Sequence, residues 1–193
     1  MSHKLRNKLQ NQVIIITLFV AIFWILEILD KFVFQGALDA YGIIPHNVIG
    51  LRGILFAPFL HGSFPHLIAN TIPFIFLSWL VMVQQTSDFF IVTGLTMLIG
   101  GAGVWLFGAP NSVHIGASIL IFGYLGFLLL RGYFQRNLAS IALSVLVLTF
   151  YGSAIWGILP SAGPGISWQG HLFGFLGGVL GAKLIATEKR YYY

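Results

Sequence analysis

Apolar residues run in long blocks along this chain, and the polar residues collect in the gaps between them. Six blocks stand out, at about 12–34, 64–83, 89–107, 115–130, 138–159 and 168–186, each broken from the next by Gly, Pro or charged residues. A membrane-spanning helix needs about 20 predominantly apolar residues, so the pattern predicts six spans. The fourth block is short for a bilayer, and its helix is expected to begin below the membrane surface, facing a cavity. The connection 35–63 carries its own apolar stretch, Ile54-Leu55-Phe56-Ala57-Pro58-Phe59-Leu60. That stretch cannot span and is expected to lie at or dip into the membrane. The prediction is an all-α membrane protein: a six-transmembrane-helix bundle with a membrane-embedded first loop. One membrane domain, 12–186, would be flanked by a basic N-terminal tail, 1–11, and a C-terminal tail, 187–193.

Composition sharpens this. Of 193 residues, 58% are hydrophobic and only 8% charged, against roughly 25% charged in soluble domains. Mean hydropathy is +0.90. A soluble enzyme or a disordered regulator is excluded. The pI of 9.7 does not imply a nucleic-acid partner, because the basic residues form no patch; they flank the apolar blocks as topology signals do. With the N-terminus cytoplasmic, Lys4, Arg6, Lys8, Arg131, Arg136, Lys183, Lys189 and Arg190 lie inside. Of the 10 basic residues, only Lys31 and Arg52 then lie outside. Both termini are therefore expected in the cytoplasm, in the plasma membrane of a bacterium. The first block is not followed by a small-residue cleavage site but by Glu27, Asp30 and Lys31, so it reads as a retained span rather than a signal peptide. Glu27 and Lys31 suit an i, i+4 pair. Absence of cysteine excludes disulfides and thiolate chemistry, and the lack of internal repeats counts against a secondary transporter.

Polar side chains inside spans are costly and mark function. Three clusters qualify: His61 through Asn70 at the start of the second span, Gly116-Ala117-Ser118 at the fourth, and Gly170-His171 at the sixth. Alternating topology sets all three on one side of the membrane at similar depth. Acyl transfer needs a nucleophile, a base, and donors for the oxyanion. Ser118 can be the nucleophile and His171 its base. His66 and Asn70, four apart on one helix face, can donate to the oxyanion beside the Ser118 backbone N–H. Glycines 170, 174 and 178, and 177 and 181, repeat at four-residue spacing and permit close helix contact.

His61-x4-His66-x3-Asn70, Gly116-Ala117-Ser118, and Gly170-His171 followed by Gly174, Gly177 and Gly178 resemble the three signatures of rhomboid intramembrane serine proteases, in the family's order and on the expected spans. Arg52, before Ile54-Leu55-Phe56, resembles that family's membrane-embedded loop. The likeness covers about residues 52–181. It implies a Ser118–His171 dyad without a third acidic member, an oxyanion site lined by His66 and Asn70, and Phe122 packed on the histidine ring. Fittingly, no Asp or Glu stands between Asp88 and Glu188. The substrates implied are transmembrane proteins cut in or near their spans within the lipid bilayer, with no metal or organic cofactor.

One position departs from the family. Ile119 follows the serine where Gly-x-Ser-Gly places glycine, and a β-branched side chain there would add bulk beside the nucleophile. This motivates the alternative of a catalytically impaired rhomboid-like pseudoprotease that binds transmembrane helices without cutting them. His61 reads as a staple for the first loop, and His114 could line the cavity. A metal or haem site on His61, His66 and His171 is disfavoured, because no carboxylate lies nearby to serve as a ligand or hold a ligating imidazole.

Overall fold

The computed structural model describes residues 3–163 and 165–191, with side chains through Thr187. Of the expected C-terminal tail, residues 192–193 and the side chains of 188–191, Lys189 and Arg190 among them, lie outside the described residues. Among the described residues, six helices are long and apolar enough to cross a membrane. Helix α1 spans His3–Leu29 and runs on through a π-helical turn, Asp30–Phe34. It stops where Gln35 and Gly36 take left-handed backbone angles, φ 53° and 87°. Asp30 fastens this exit: its carbonyl accepts from the Gly36 N–H at 3.0 Å and its carboxylate from the Leu38 N–H at 2.8 Å. The first loop then folds into short helical turns, among them the broken apolar helix Val48–Phe59. This is where the sequence predicted a membrane-embedded stretch.

Helix α2, Phe64–Met82, starts at Ser63, whose hydroxyl accepts from the His66 N–H, with Pro65 in the first turn. Helix α3 is Ser87–Phe107 and α4 is Ser118–Gln135. Helix α5, Leu138–Tyr151, is capped by the Asn137 side chain and tightens into a 3-10 turn, Gly152–Ile158. Helix α6 is Trp168–Tyr191.

Of the six, α4 is the most buried and α5 the least. Lipid is as apolar as leucine, so helices in a membrane gain by close packing rather than by escape from water. The glycines of α4 and α6 supply that packing. A Cβ on Gly178 would fall on the Gly123 carbonyl, and one on Gly126 would fall on the Phe175 carbonyl. On its other side α6 meets α3, where a Cβ on Gly177 would lie 2.9 Å from Thr96 Cα. The bundle is thus built around α4, with α6 against it backbone to backbone.

Two features at the end of the bundle that holds the termini add to the sequence reading. Residues 3–11, within the expected basic N-terminal tail, are helical and continue α1. Lys8 Nζ donates to the carbonyls of Val83 and Gln84 at 2.8 and 3.0 Å, and Gln12 Nε2 to that of Met82 at 2.8 Å. These bonds satisfy the carbonyls that α2 leaves free at its C-terminus. Arg131, read from sequence only as a basic flank of its span, is fully buried and paired with Asp88 at 2.7 Å. It also donates to the Val81 carbonyl at 3.3 Å and to Gln135 Oε1 at 3.1 Å. At the other end, Lys31 does meet Glu27, at 3.9 Å, and also Asp30 and Asp39 at 3.4 and 3.8 Å.

Candidate active site

Alternating spans put the α1–α2, α3–α4 and α5–α6 connections on one face, opposite the termini. There a cavity of about 780 Å³ opens between them, lined by His66, Asn70, Ser118 and His171, together with Ser112, His114, Ser167 and Gln169. The four residues singled out from sequence thus meet in one place. They arrive from three segments separated by dozens of residues.

Ser118 opens α4, and the segment before it is pinned from several directions. Ile43 and His114 exchange backbone bonds of 3.0 and 2.9 Å, the Gly116 N–H reaches the Ala57 carbonyl at 2.9 Å, and the Ala117 N–H donates to His61 Nε2 at 3.3 Å. The membrane-embedded loop therefore holds the serine in register. Gly116 has φ 122°, which strains any residue with a Cβ. A Cβ there would also lie 2.7 Å from His66 Cε1 and 3.5 Å from Asn70 Nδ2. Glycine is required both by the turn and by the nearness of these two side chains. Asn70 Nδ2 is buried with no hydrogen-bond partner among the described residues. The N–H groups of Ser118 and Ile119, first in the helix, have no intrahelical acceptor and carry the positive end of its dipole.

His61 is a staple between the first loop and the bundle, as expected. It caps the backbone directly before Ser118, not only its own loop. Burial, with a smaller contribution from neighbouring His66, pushes its pKa down to about 3. It therefore stays neutral, which an acceptor of the Ala117 N–H must be.

His171 lies in the first turn of α6. Its Nδ1 is 2.9 Å from the Gly157 carbonyl. A carbonyl only accepts, so Nδ1 carries the hydrogen and Nε2 of the neutral ring is the basic atom. The Phe122 ring stacks on the imidazole at 4.0 Å and 7°. A Cβ on Gly157 would lie 2.7 Å from Phe122 Cζ and 3.4 Å from His171 Nδ1, so the 3-10 turn can approach only as glycine. Nothing in the sequence marked Gly157, because its role depends on how α5 ends.

Ile119 differs from expectation. A Cβ placed on Gly100 of α3 would lie 2.7 Å from both Cγ1 and Cδ1 of Ile119, and one on Gly174 of α6 would lie 3.3 Å from its Cγ1. The side chain fills the notch that these two glycines leave, inside the hydrophobic core. It packs into the bundle and is not among the side chains that line the large cavity, although it borders a small adjoining pocket beside Ser118. All the cavity's polar side chains are uncharged apart from what its histidines can take up. Among the described residues, no group of three or more His, Asp or Glu side chains is arranged to hold a metal ion.

The sequence profile of the rhomboid domain matches residues 50–188. The chain belongs to the rhomboid family. Rhomboids are intramembrane serine proteases, and with six apolar helices this rhomboid is a multi-pass membrane protein. It is 41% identical over 179 residues to an uncharacterized protein of Mycobacterium tuberculosis, covering 89% of this chain and 74% of that protein. An uncharacterized protein of Mycobacterium leprae is 40% identical over 179 residues, covering 89% and 70%. A Bacillus subtilis protein, provisionally named rhomboid protease YdcA, is 30% identical over 131 residues, covering 67% and 65%.

Proposed function

We propose that this rhomboid is an intramembrane serine endopeptidase that cuts transmembrane proteins in or near their spans, through a dyad of Ser118 and His171. The observation that carries this is the meeting of Ser118, His171, His66 and Asn70 on one uncharged cavity, with the imidazole held in the tautomer a base requires. In the reaction, Nε2 of His171 takes the Ser118 hydroxyl proton as Oγ attacks the substrate carbonyl carbon. The oxyanion is met by Asn70 Nδ2, His66 and the first N–H groups of α4, donors already in place before charge develops. His171 then gives its proton to the leaving amine, and the acyl-enzyme forms. Water attacks the ester, its proton passing to His171 and on to Ser118 Oγ, releasing the second fragment as a carboxylic acid. Phe122 and the Gly157 carbonyl keep the ring oriented throughout, a role that an acidic third member fills in other serine enzymes. The chemistry draws on no metal or cofactor.

The membrane domain of this reading is 12–186, in a bacterial plasma membrane with both termini cytoplasmic and the cavity open to the outside. The excess of basic residues at the termini end supports that orientation. The test is proteoliposomes holding the full chain and a single-span substrate. The wild type is expected to release two fragments, and Ser118→Ala and His171→Ala none, with folding unchanged. Cleavage that survives in Ser118→Ala overturns the proposal. A folded wild type that captures spans without cutting them indicates the pseudoprotease instead.

A further inference from the structure

Beside the proposed dyad lies a second serine–histidine pair. Ser167 Oγ is 2.6 Å from His114 Nδ1, across 53 positions of sequence. The other ring nitrogen, Nε2, is 2.8 Å from Ser112 Oγ, and the Ser112 hydroxyl donates its one hydrogen to the Ala109 carbonyl. Ser112 therefore accepts from Nε2–H, and in the neutral ring Nδ1 accepts from the Ser167 hydroxyl. Burial lowers the His114 pKa, which favours that neutral ring.

We propose that His114 and Ser167 are positioning residues, a clamp that fixes the distance and angle between Ser118 and His171; this rests on the protease reading above. Each clamp residue stands four positions before a member of the dyad, on the same segment. The His114 segment is rigidly tied to the first loop through Ile43, Ala57 and His61. Among the described residues, the backbone bonds of the approach to α6 are all local, such as that from the Ile166 N–H to the Gly163 carbonyl. This approach passes Gly163 and Gly165, with φ 126° and 77°, before reaching Ser167. Among the described residues, two side-chain bonds link the start of α6 to the chain from the end of α3 to Ser118: the 2.6 Å bond from Ser167, and a 3.4 Å bond from Gln169 Nε2 to the Phe107 carbonyl. The His171 N–H donates to the Ser167 carbonyl at 3.1 Å, so a shift of Ser167 moves the turn that carries the base. Gly170 leaves room for the pair, since a Cβ there would lie 2.9 Å from Ser167 Oγ.

The test follows the rate at which a fluorophosphonate probe labels Ser118 in the purified full chain, with saturation separated from the bond-forming step and the modified peptide mapped. Ser167→Ala is expected to slow the bond-forming step by roughly 10- to 100-fold, as small misplacements of reacting groups do, with probe saturation and thermal midpoint nearly unchanged. Ser167→Thr, which keeps the hydroxyl, is expected to recover the rate. His114→Ala should match Ser167→Ala, and the double variant should be no slower than either. Wild-type labelling rates in Ser167→Ala would overturn the clamp and leave the protease reading standing. So would a loss explained wholly by unfolding, or a label found on Ser167 itself. A folded wild type without label would overturn the protease reading and the clamp with it.

Discussion

Replacing Ile119 by glycine restores the residue that the rhomboid motif usually carries, and the structure makes an unambiguous forecast for it. The side chain fills the notch between Gly100 and Gly174 and is 6% exposed. Its removal vacates four carbons, roughly 100 Å³, which at about 24 cal/mol per Å³ of cavity costs about 2.4 kcal/mol if nothing collapses. The transfer part of a core deletion is left out, because the unfolded reference in a membrane already surrounds isoleucine with lipid. Glycine near the start of a helix adds up to about 1 kcal/mol. The expected loss is therefore about 3 kcal/mol, read as unfolding of the purified chain in detergent. Labelling per folded molecule should stay within a few-fold of wild type, since Ile119 is packed in the core and does not line the large cavity. Gly100→Ala offers a control. Alone it crowds Ile119, whereas beside Ile119→Gly it enters vacated space, so the two should couple by about 0.5–3 kcal/mol. An Ile119→Gly variant that labels on the order of a hundredfold faster, and unfolds no more easily, would refute this placement.

Three further outcomes follow from named contacts. Asp88→Asn leaves the fully buried Arg131 guanidinium without its counter-charge and is expected to cost roughly 3–5 kcal/mol, measured by the same unfolding assay. Gly116→Ala forces a Cβ at φ 122° and against the His66 ring; labelling of Ser118 should fall while Ser118 stays accessible to the probe in size-matched controls. His61, held down at about pKa 3 by burial and then by His66, takes up its proton more readily in the unfolded chain, where its value is near 6.5. Stability from this group is complete above pH 6.5 and declines as pH falls toward 3. His61→Gln should flatten that part of the stability-versus-pH curve, and an unchanged slope would contradict the assignment.

Much of the bundle was legible because a membrane leaves few ways to satisfy a backbone, and apolar blocks report helices directly. The four candidate site residues were legible because serine, histidine and asparagine stand out in such blocks. What sequence could not give were directions and long-range partners. Ile119 looked obstructive because its bulk is visible in sequence while the glycine notch that receives it comes from two other helices. Arg131 looked like a flank because its partner, Asp88, belongs to α3, 43 positions earlier. Residues 3–11 read only as a basic tail because their polarity hid a helix, anchored by Lys8 and Gln12 on the end of α2. His114 was placed near the cavity, but Ser167, its partner, was not singled out at all.

The most direct test of a serine activated by His171 is fluorophosphonate labelling of the detergent-purified chain, with the modified residue identified by mass spectrometry. The expected result is a single adduct on Ser118, lost in both Ser118→Ala and His171→Ala while each variant keeps its fold. No adduct on a demonstrably folded wild type, or an adduct that persists undiminished in His171→Ala, would contradict the dyad.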